Sequence, residues 1–432
     1  MTMDPVLGDV GDCDVHIAGG RIMAVGPGLD APGAEALDGR DMIVLPGLID
    51  THTHLWSTQM RGRFGAAPDQ HYFRVRNTLA EGYQAQDMYH GALTGAAESI
   101  FSGVTTVVDF CHNIRNPAFA AANLCALVDS GVRGLFLFGA ATNSTPDQAI
   151  DLEGLETLAR SWTEVIGDAP LKLGLAWRGP LGVVSMDSIQ AETPDLGVAR
   201  EEFQVARRLG LPICLHVSGR HAKPVFNALV HGDFLGDDVQ LVHFTDATTE
   251  DIEIAAEANA SVSLTPLTEL RVGYGVTRLG DYTAGRLRVG LGVDSNALAG
   301  ASNMFSLMKL FQLLEAGRLQ DEGATSARKL VELATIEGAR SIGMAHEIGS
   351  ITPGKRADVI MVATNALNMA SLPDDPANLI VSSAQPANVD TVIVDGRVLK
   401  RSGRMTAVDP ARVIAGARRS IAEIVQRVRP TE

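Results

Sequence analysis

No apolar stretch in the chain approaches about 18 residues, so nothing in it reads as a membrane-spanning helix. Lysine and arginine form no block and the net charge is -15, which argues against a nucleic-acid groove or a surface for anionic lipid. Cys13, Cys111, Cys125 and Cys214 are scattered, with no CxxC pair among them. They read as reduced thiols. The N-terminal stretch MTMDPVLGDVGD lacks the basic start and apolar run of a secretory signal. Together these features point to the cytoplasm. There is no repeat of about 20–50 residues and no low-complexity tract.

What is present is a large apolar inventory. Hydrophobic residues make up 46% of 432 and charged residues 20%, which suits one large domain with a satellite rather than three equal domains. Eight apolar, mostly β-branched runs alternate with helical stretches: MIVLPGLIDTHTH, VTTVVDF, VRGLFLFGA, LKLGLAWRG, LPICLHV, VQLVHF, SVSLTP and RVGLGVD. Such runs suit strands buried on both faces. Eight β–α units predict an α/β fold of the (β/α)₈ barrel type, with its site at the C-terminal ends of the strands. VHIAGGRIMAVG near the start, and ADVIMVA and VDTVIVDGRVLKRSGRM near the end, read as antiparallel hairpins. DPARVIAGARRSIAEIVQRV reads as an amphipathic helix that docks on the barrel. The expected division is a small β-domain from residues 1–46 and 350–408, a barrel over 47–349 and a terminal helix over 409–432.

The polar residues that break the apolar runs fall at strand ends. His52 and His54 end the first run with one residue between them, so on a strand both point to one face. A shared divalent metal is the simplest partner for two such imidazoles. His216 ends the fifth run, His243 the sixth and Asp294 the eighth. Each alone has an ordinary reading: a satisfied core histidine, or an Asp at a helix N-cap. Together they converge on one face of the barrel, as a metal-centred site requires.

The segments PGLIDTHTHL, LHV, LVHFTDATTEDIEIAAEANASVSLTP, GLGVDSNA and TIEGARSIGMAHEIGSITPGKRADVIMV resemble the amidohydrolase superfamily, and the likeness runs over nearly the whole chain. The nearest branch is the cytosine-deaminase-like, chlorohydrolase-like one, with s-triazine hydrolases and guanine-type deaminases. The resemblance implies a small β-sandwich assembled from both termini. It also implies one divalent metal held by His52, His54, His216 and Asp294, with zinc expected and ferrous iron the rival. Binuclear relatives use a carboxylated lysine at the end of strand 4. Here that end is Trp177-Arg178-Gly179 and Lys172 lies at the strand's start, so a single metal is expected.

One departure matters. Deaminases of this branch carry H-x-x-E at strand 5, whereas this chain reads His216-Val217-Ser218-Gly219. The missing acid argues against ordinary deamination of a heteroaromatic ring, because such proton transfer contributes about 10²–10⁴ in rate. Glu269 is the nearest substitute, with a solvated loop acid as its plainer reading. Trp56, Gln59 and Arg61 are candidates for a substrate-facing loop. Asp109 and His112 follow strand 2, where capping or loop bonding competes with a substrate contact for His112. Arg178 is a candidate for an anionic or carbonyl group, or for a structural ion pair, and Arg220 and His221 for the pocket wall. Thr245 and Asp246 read as a helix start.

The function expected is hydrolysis of a non-peptide C–N bond in a small cyclic or aryl amide, urea or amidine-like molecule. A metal would lower the pKa of its water to about 7 to give the attacking hydroxide. Asp294 would take and return the proton, and His243 would polarise the substrate. The alternatives are an aminohydrolase of a heteroaromatic ring and a metal-using lyase or isomerase. The partner expected is a small-molecule substrate, with no nucleic acid and no membrane, in a homo-oligomer of two or more chains.

Overall fold

Residues 42–54, read from the sequence as one strand, form two. Met42–Pro46 belongs to a sheet outside the barrel, and Leu48–Thr53 begins the barrel. Gly47 makes the step. Its N–H donates to the Asp358 carbonyl at 2.9 Å, and a Cβ there would fall 2.0 Å from Oγ1 of Thr105. Only a residue without a side chain permits so close an approach. The computed structural model describes all residues except 143, 145–147, 181–195, 220–221, 372 and 430–432.

The barrel strands are β1 (Leu48–Thr53), β2 (Val104–Cys111), β3 (Arg133–Gly139), β4 (Leu171–Trp177), β5 (Ile213–Val217), β6 (Val239–His243), β7 (Ser261–Leu264) and β8 (Arg288–Leu291). They pair in parallel in chain order. Every residue of β2 and β3 is buried, as their unbroken apolar sequences require. The seam between β8 and β1 is drawn together beyond β8. The Asp294 N–H donates to the His52 carbonyl at 2.8 Å, and the His54 N–H donates to the Asp294 carbonyl at 2.7 Å. The backbone that closes the barrel therefore also carries three of the site residues.

The second sheet has five antiparallel strands: Met42–Pro46, Val359–Ala363, Val389–Val394, Arg397–Arg401 and Arg404–Met405. The N-terminal hairpin, Asp14–Ala18 with Arg21–Gly26, faces it and shares its small core through Ile22, Val359 and Ile393. Arg133 at the start of β3 fastens this sheet to the barrel, with Nε 2.7 Å from Oδ2 of Asp358 and Nη2 2.9 Å from Oδ1 of Asp395.

The C-terminal helix, Pro410–Arg427, packs on helix Ala85–Phe101, where Ser420 and Arg427 both reach Asp87. Among the described residues no helix is long and apolar enough to cross a membrane. After β6 the helix start lies slightly later than Thr245–Asp246. Thr248 is the N-cap and forms a capping box with Asp251 ahead of helix Thr249–Glu257.

Candidate metal centre and active site

His52 and His54 lie on one face of β1 and meet His216 from β5 and Asp294 from just past β8. Their ligand atoms all lie within 4.8 Å of one another. Nε2 of His54 is 3.2 Å from Nε2 of His52 and 3.2 Å from Nε2 of His216. Asp294 Oδ1 is 3.1 Å from His54 Nε2 and 3.5 Å from His52 Nε2.

These contacts do not satisfy one another as hydrogen bonds. An imidazole that ligates a metal has one ring hydrogen, and His54 would place it at Nδ1, 3.0 Å from the Phe110 carbonyl. Its Nε2 is then a lone pair facing a carboxylate oxygen and two more imidazoles. A cation among them resolves the conflict. A tetrahedral zinc with Zn–N of about 2.0–2.1 Å would hold its nitrogens about 3.3 Å apart, close to the spacing found. Burial lowers the His52 imidazole to about 3 and the His216 imidazole well below its ordinary range, so both are neutral and able to ligate.

Two of these residues have unusual backbones. Asp294 has φ of 65° and His243 φ of 71°. The left-handed region costs a non-glycine residue about 1–3 kcal/mol and is kept where surrounding structure enforces it. Burial pushes the Asp50 carboxyl up to about 8, and it accepts the Val293 N–H at 2.9 Å, bracing the turn into Asp294.

His243 stands outside the four-ligand set. Its ring centre is 5.5 Å from that of His216 and 6.1 Å from that of His52. Its Nδ1 lies 2.9 Å from Thr265 Oγ1 and 3.3 Å from Glu269 Oε1, which leaves Nε2 on the side of the cluster. Glu269 is therefore not a solvated loop acid. It is fully buried and accepts from the Thr265 backbone N–H, the Thr265 hydroxyl and the Thr277 hydroxyl, and it holds His243 from behind.

The other sequence candidates divide. Trp56 is buried with its ring 5.0 Å from that of His112, and His112 lies 4.6 Å from His54. Both belong to the wall of the site. Gln59 lies in the 3₁₀ turn Leu55–Met60, which packs into the fold, and Arg61 directly follows it. The Gln59 amide donates to Tyr83 Oη, the Asp87 carbonyl and Ser420 Oγ, tying the C-terminal helix to the barrel. Arg61 pairs with Glu98 and reaches the Asn296 carbonyl. Asp109 accepts from the Leu55 N–H and from Asn123. Arg178 is in an ion pair with buried Glu202 at 3.0 Å and donates to Ser144. Lys172 pairs with Glu347 at 2.7 Å, at the start of β4. Arg220 and His221 lie outside the described residues.

Three residues of the wall were not singled out from the sequence. Tyr72 stands near Ser295 and Asp294. Arg76 reaches His112. Tyr274 sets its ring 5.3 Å from that of His243. The one local hint is Gly219. A Cβ there would lie 2.9 Å from Cε1 of Tyr274, so the tyrosine fills the room a side chain would need.

The chain matches the Amidohydrolase family over residues 43–399. It belongs to that family. It is a metal-dependent hydrolase of carbon–nitrogen bonds. This amidohydrolase is 28% identical to the 5'-deoxyadenosine deaminase of Methanosarcina acetivorans, covering 99% of this chain and 97% of that one. It is 30% identical to the 5-methylthioadenosine/S-adenosylhomocysteine deaminase of Symbiobacterium thermophilum, covering 98% of each. Its fold is shared by a zinc-bound adenosine deaminase from Xanthomonas campestris, at TM-score 0.80 and 22% identity over 96% of this chain and 94% of that one. It is shared also by a zinc complex of atrazine chlorohydrolase from Arthrobacter aurescens, at TM-score 0.80 and 21% identity over 97% of each chain.

Proposed function

We propose that this amidohydrolase hydrolyses a carbonyl-centred C–N bond, in a cyclic or aryl amide or urea, with one zinc ion held by His52, His54, His216 and Asp294. The observation that carries the choice is the chemistry at strand 5. Gly219, with φ of 61°, stands where the deaminase pattern has a glutamate, and Tyr274 occupies the space beside it. Burial pushes the Tyr274 phenol up to about 12, so it stays protonated near neutral pH. It can donate a hydrogen bond but is a poor proton shuttle. The other buried carboxyls near the site, Asp50, Asp109 and Glu269, are fully enclosed, which leaves Asp294 for acid–base work.

A divalent cation bound there supplies Lewis acidity and acidifies water; ferrous iron is the rival to zinc. Asp294 accepts the proton of the attacking water and returns it to the leaving nitrogen. His243 can hold a proton at Nε2, with Glu269 compensating its charge, and donate it toward the oxygen that gains negative charge. Tyr274 is a second donor on the same side. Donors fixed in advance at a developing oxyanion are the largest common source of such stabilisation. Trp56 and His112 line the wall and exclude water.

A second reading, deamination of a heteroaromatic ring, is favoured by the names of the full-length relatives, which are deaminases of adenosine derivatives. A panel separates the two. Zinc-loaded enzyme is offered cyclic amides and aryl ureas beside 5'-deoxyadenosine, aminopyrimidines and aminotriazines, with ammonia and amine detection. Turnover is expected on the carbonyl compounds. Efficient release of ammonia from a ring amine, above about 10⁴ M⁻¹s⁻¹, is ordinary enzyme performance and would replace the first reading by the second.

We further propose that the chain acts in the cytoplasm as a homo-oligomer of two or more copies. Cys13, Cys111, Cys125 and Cys214 are free, which suits a reducing compartment, and light scattering in solution reports the assembly.

A further inference from the structure

Several of the chain's other arginines are paired with acids. Arg133, Arg178, Arg318 and Arg328 each meet a carboxylate. Arg76, on helix Tyr72–Glu81, meets only neutral groups among the described residues. Its Nη1 donates to His112 Nε2 at 2.7 Å, and its Nε and Nη2 donate to Asn77 Oδ1 at 3.1 and 2.7 Å. Its Cζ lies 5.8 Å from the ring centre of Tyr72 and 5.6 Å from that of Phe73. A guanidinium has five N–H donors, so among the described residues one hydrogen on Nη1 and one on Nη2 remain for a ligand.

The contact with His112 fixes this fork. Arg76 can only donate, so His112 must accept at Nε2, which puts its hydrogen on Nδ1, 3.4 Å from the Phe110 carbonyl, and makes the 3.4 Å approach of Trp56 Nε1 to Nδ1 a contact rather than a hydrogen bond. That ring is 4.6 Å from His54, so the cation stands one side chain away from the ligand cluster. Phe73, beside it, is 6.4 Å from the Tyr274 ring across the mouth. A half-buried cation without a counter-charge is costly, and an anion arriving with the substrate would relieve it.

We propose that Arg76 reads a carboxylate on the substrate, set a short distance from the scissile C–N bond, so that the natural substrate is an anionic amide or urea rather than a neutral one. This rests on the hydrolase reading of the same cluster.

The test uses zinc-loaded enzyme and calorimetric binding of paired hydroxamates, whose head group seeks the metal. Succinic and glutaric monohydroxamic acids carry a tail carboxylate; butyrohydroxamic acid is their neutral counterpart. At least one acid is expected to bind ten- to a hundredfold more tightly than the neutral compound. In Arg76→Met that ratio is expected to fall to within about twofold of unity. Arg76→Lys, which keeps the charge without the fork, should retain part of it and serves if the methionine variant does not fold. Equal binding of acids and neutral compound by the native enzyme, or a ratio that survives in Arg76→Met, would overturn the proposal alone. Failure of the neutral hydroxamate to bind at all would overturn the metal-centre reading and this proposal with it.

Discussion

Asp294→Asn is expected to fold, keep its metal and lose turnover by about 10²–10⁴ or more, the range a positioned proton-transfer group supplies. The amide retains an oxygen where Oδ1 stands, 3.1 Å from His54 Nε2 and 3.5 Å from His52 Nε2. It cannot accept the proton of water, nor return it to the leaving nitrogen. No neighbouring carboxyl can take over. Glu269 is closed in by Thr265, Thr277 and His243, Asp50 is fully buried beneath the turn, and Asp109 is committed to Leu55 and Asn123. The backbone of Asp294 also helps close the barrel, but through its N–H and carbonyl, which the substitution leaves in place. Turnover at even about a tenth of the native rate, with metal content and melting temperature unchanged, would remove Asp294 from acid–base work.

His243→Asn is expected to cost about 10²–10³ in kcat with metal content nearly unchanged, comparable to losing one donor at a developing oxyanion. The ring lies outside the ligand set, and its Nδ1 is already committed to Thr265 and Glu269. Glu269→Gln should cost less, about ten- to a hundredfold, because the amide keeps an acceptor for the imidazole but loses the compensating charge. Glu269 acts through His243, so the double variant should be no worse than His243→Asn alone. Additive losses in that double-mutant cycle would mean that Glu269 has an independent role. Loss of metal from His243→Asn would move His243 into the ligand set.

The parts of the site that were legible in the sequence are those that strand geometry alone arranges. A period of two puts His52 and His54 on one face, and parallel strands deliver His216, His243 and Asp294 to the same end of the barrel. What was not legible depends on contacts distant along the chain. Gln59 looked like a loop residue beside the histidines until Ser420, 361 positions away, was seen to take its amide. Glu269 looked like a loop acid because nothing local announces that Thr277 and His243 bury it. The break at Gly47 was hidden inside a continuous apolar run, since its cause is Thr105 on the neighbouring strand. Tyr72, Arg76 and Tyr274 carry no motif. They sit on segments outside the strands, and their place over the cluster follows from how those segments fold back across the mouth.

The central claim is a single metal held by four side chains, and metal content tests it most directly. Elemental analysis of native protein, purified without added metal, is predicted to give close to one equivalent of a divalent ion, zinc foremost. His216→Ala removes one of three imidazoles converging within 4.8 Å and is predicted to lose most of that ion while remaining folded. Two equivalents in the native protein, or an undiminished equivalent in His216→Ala, would contradict the account.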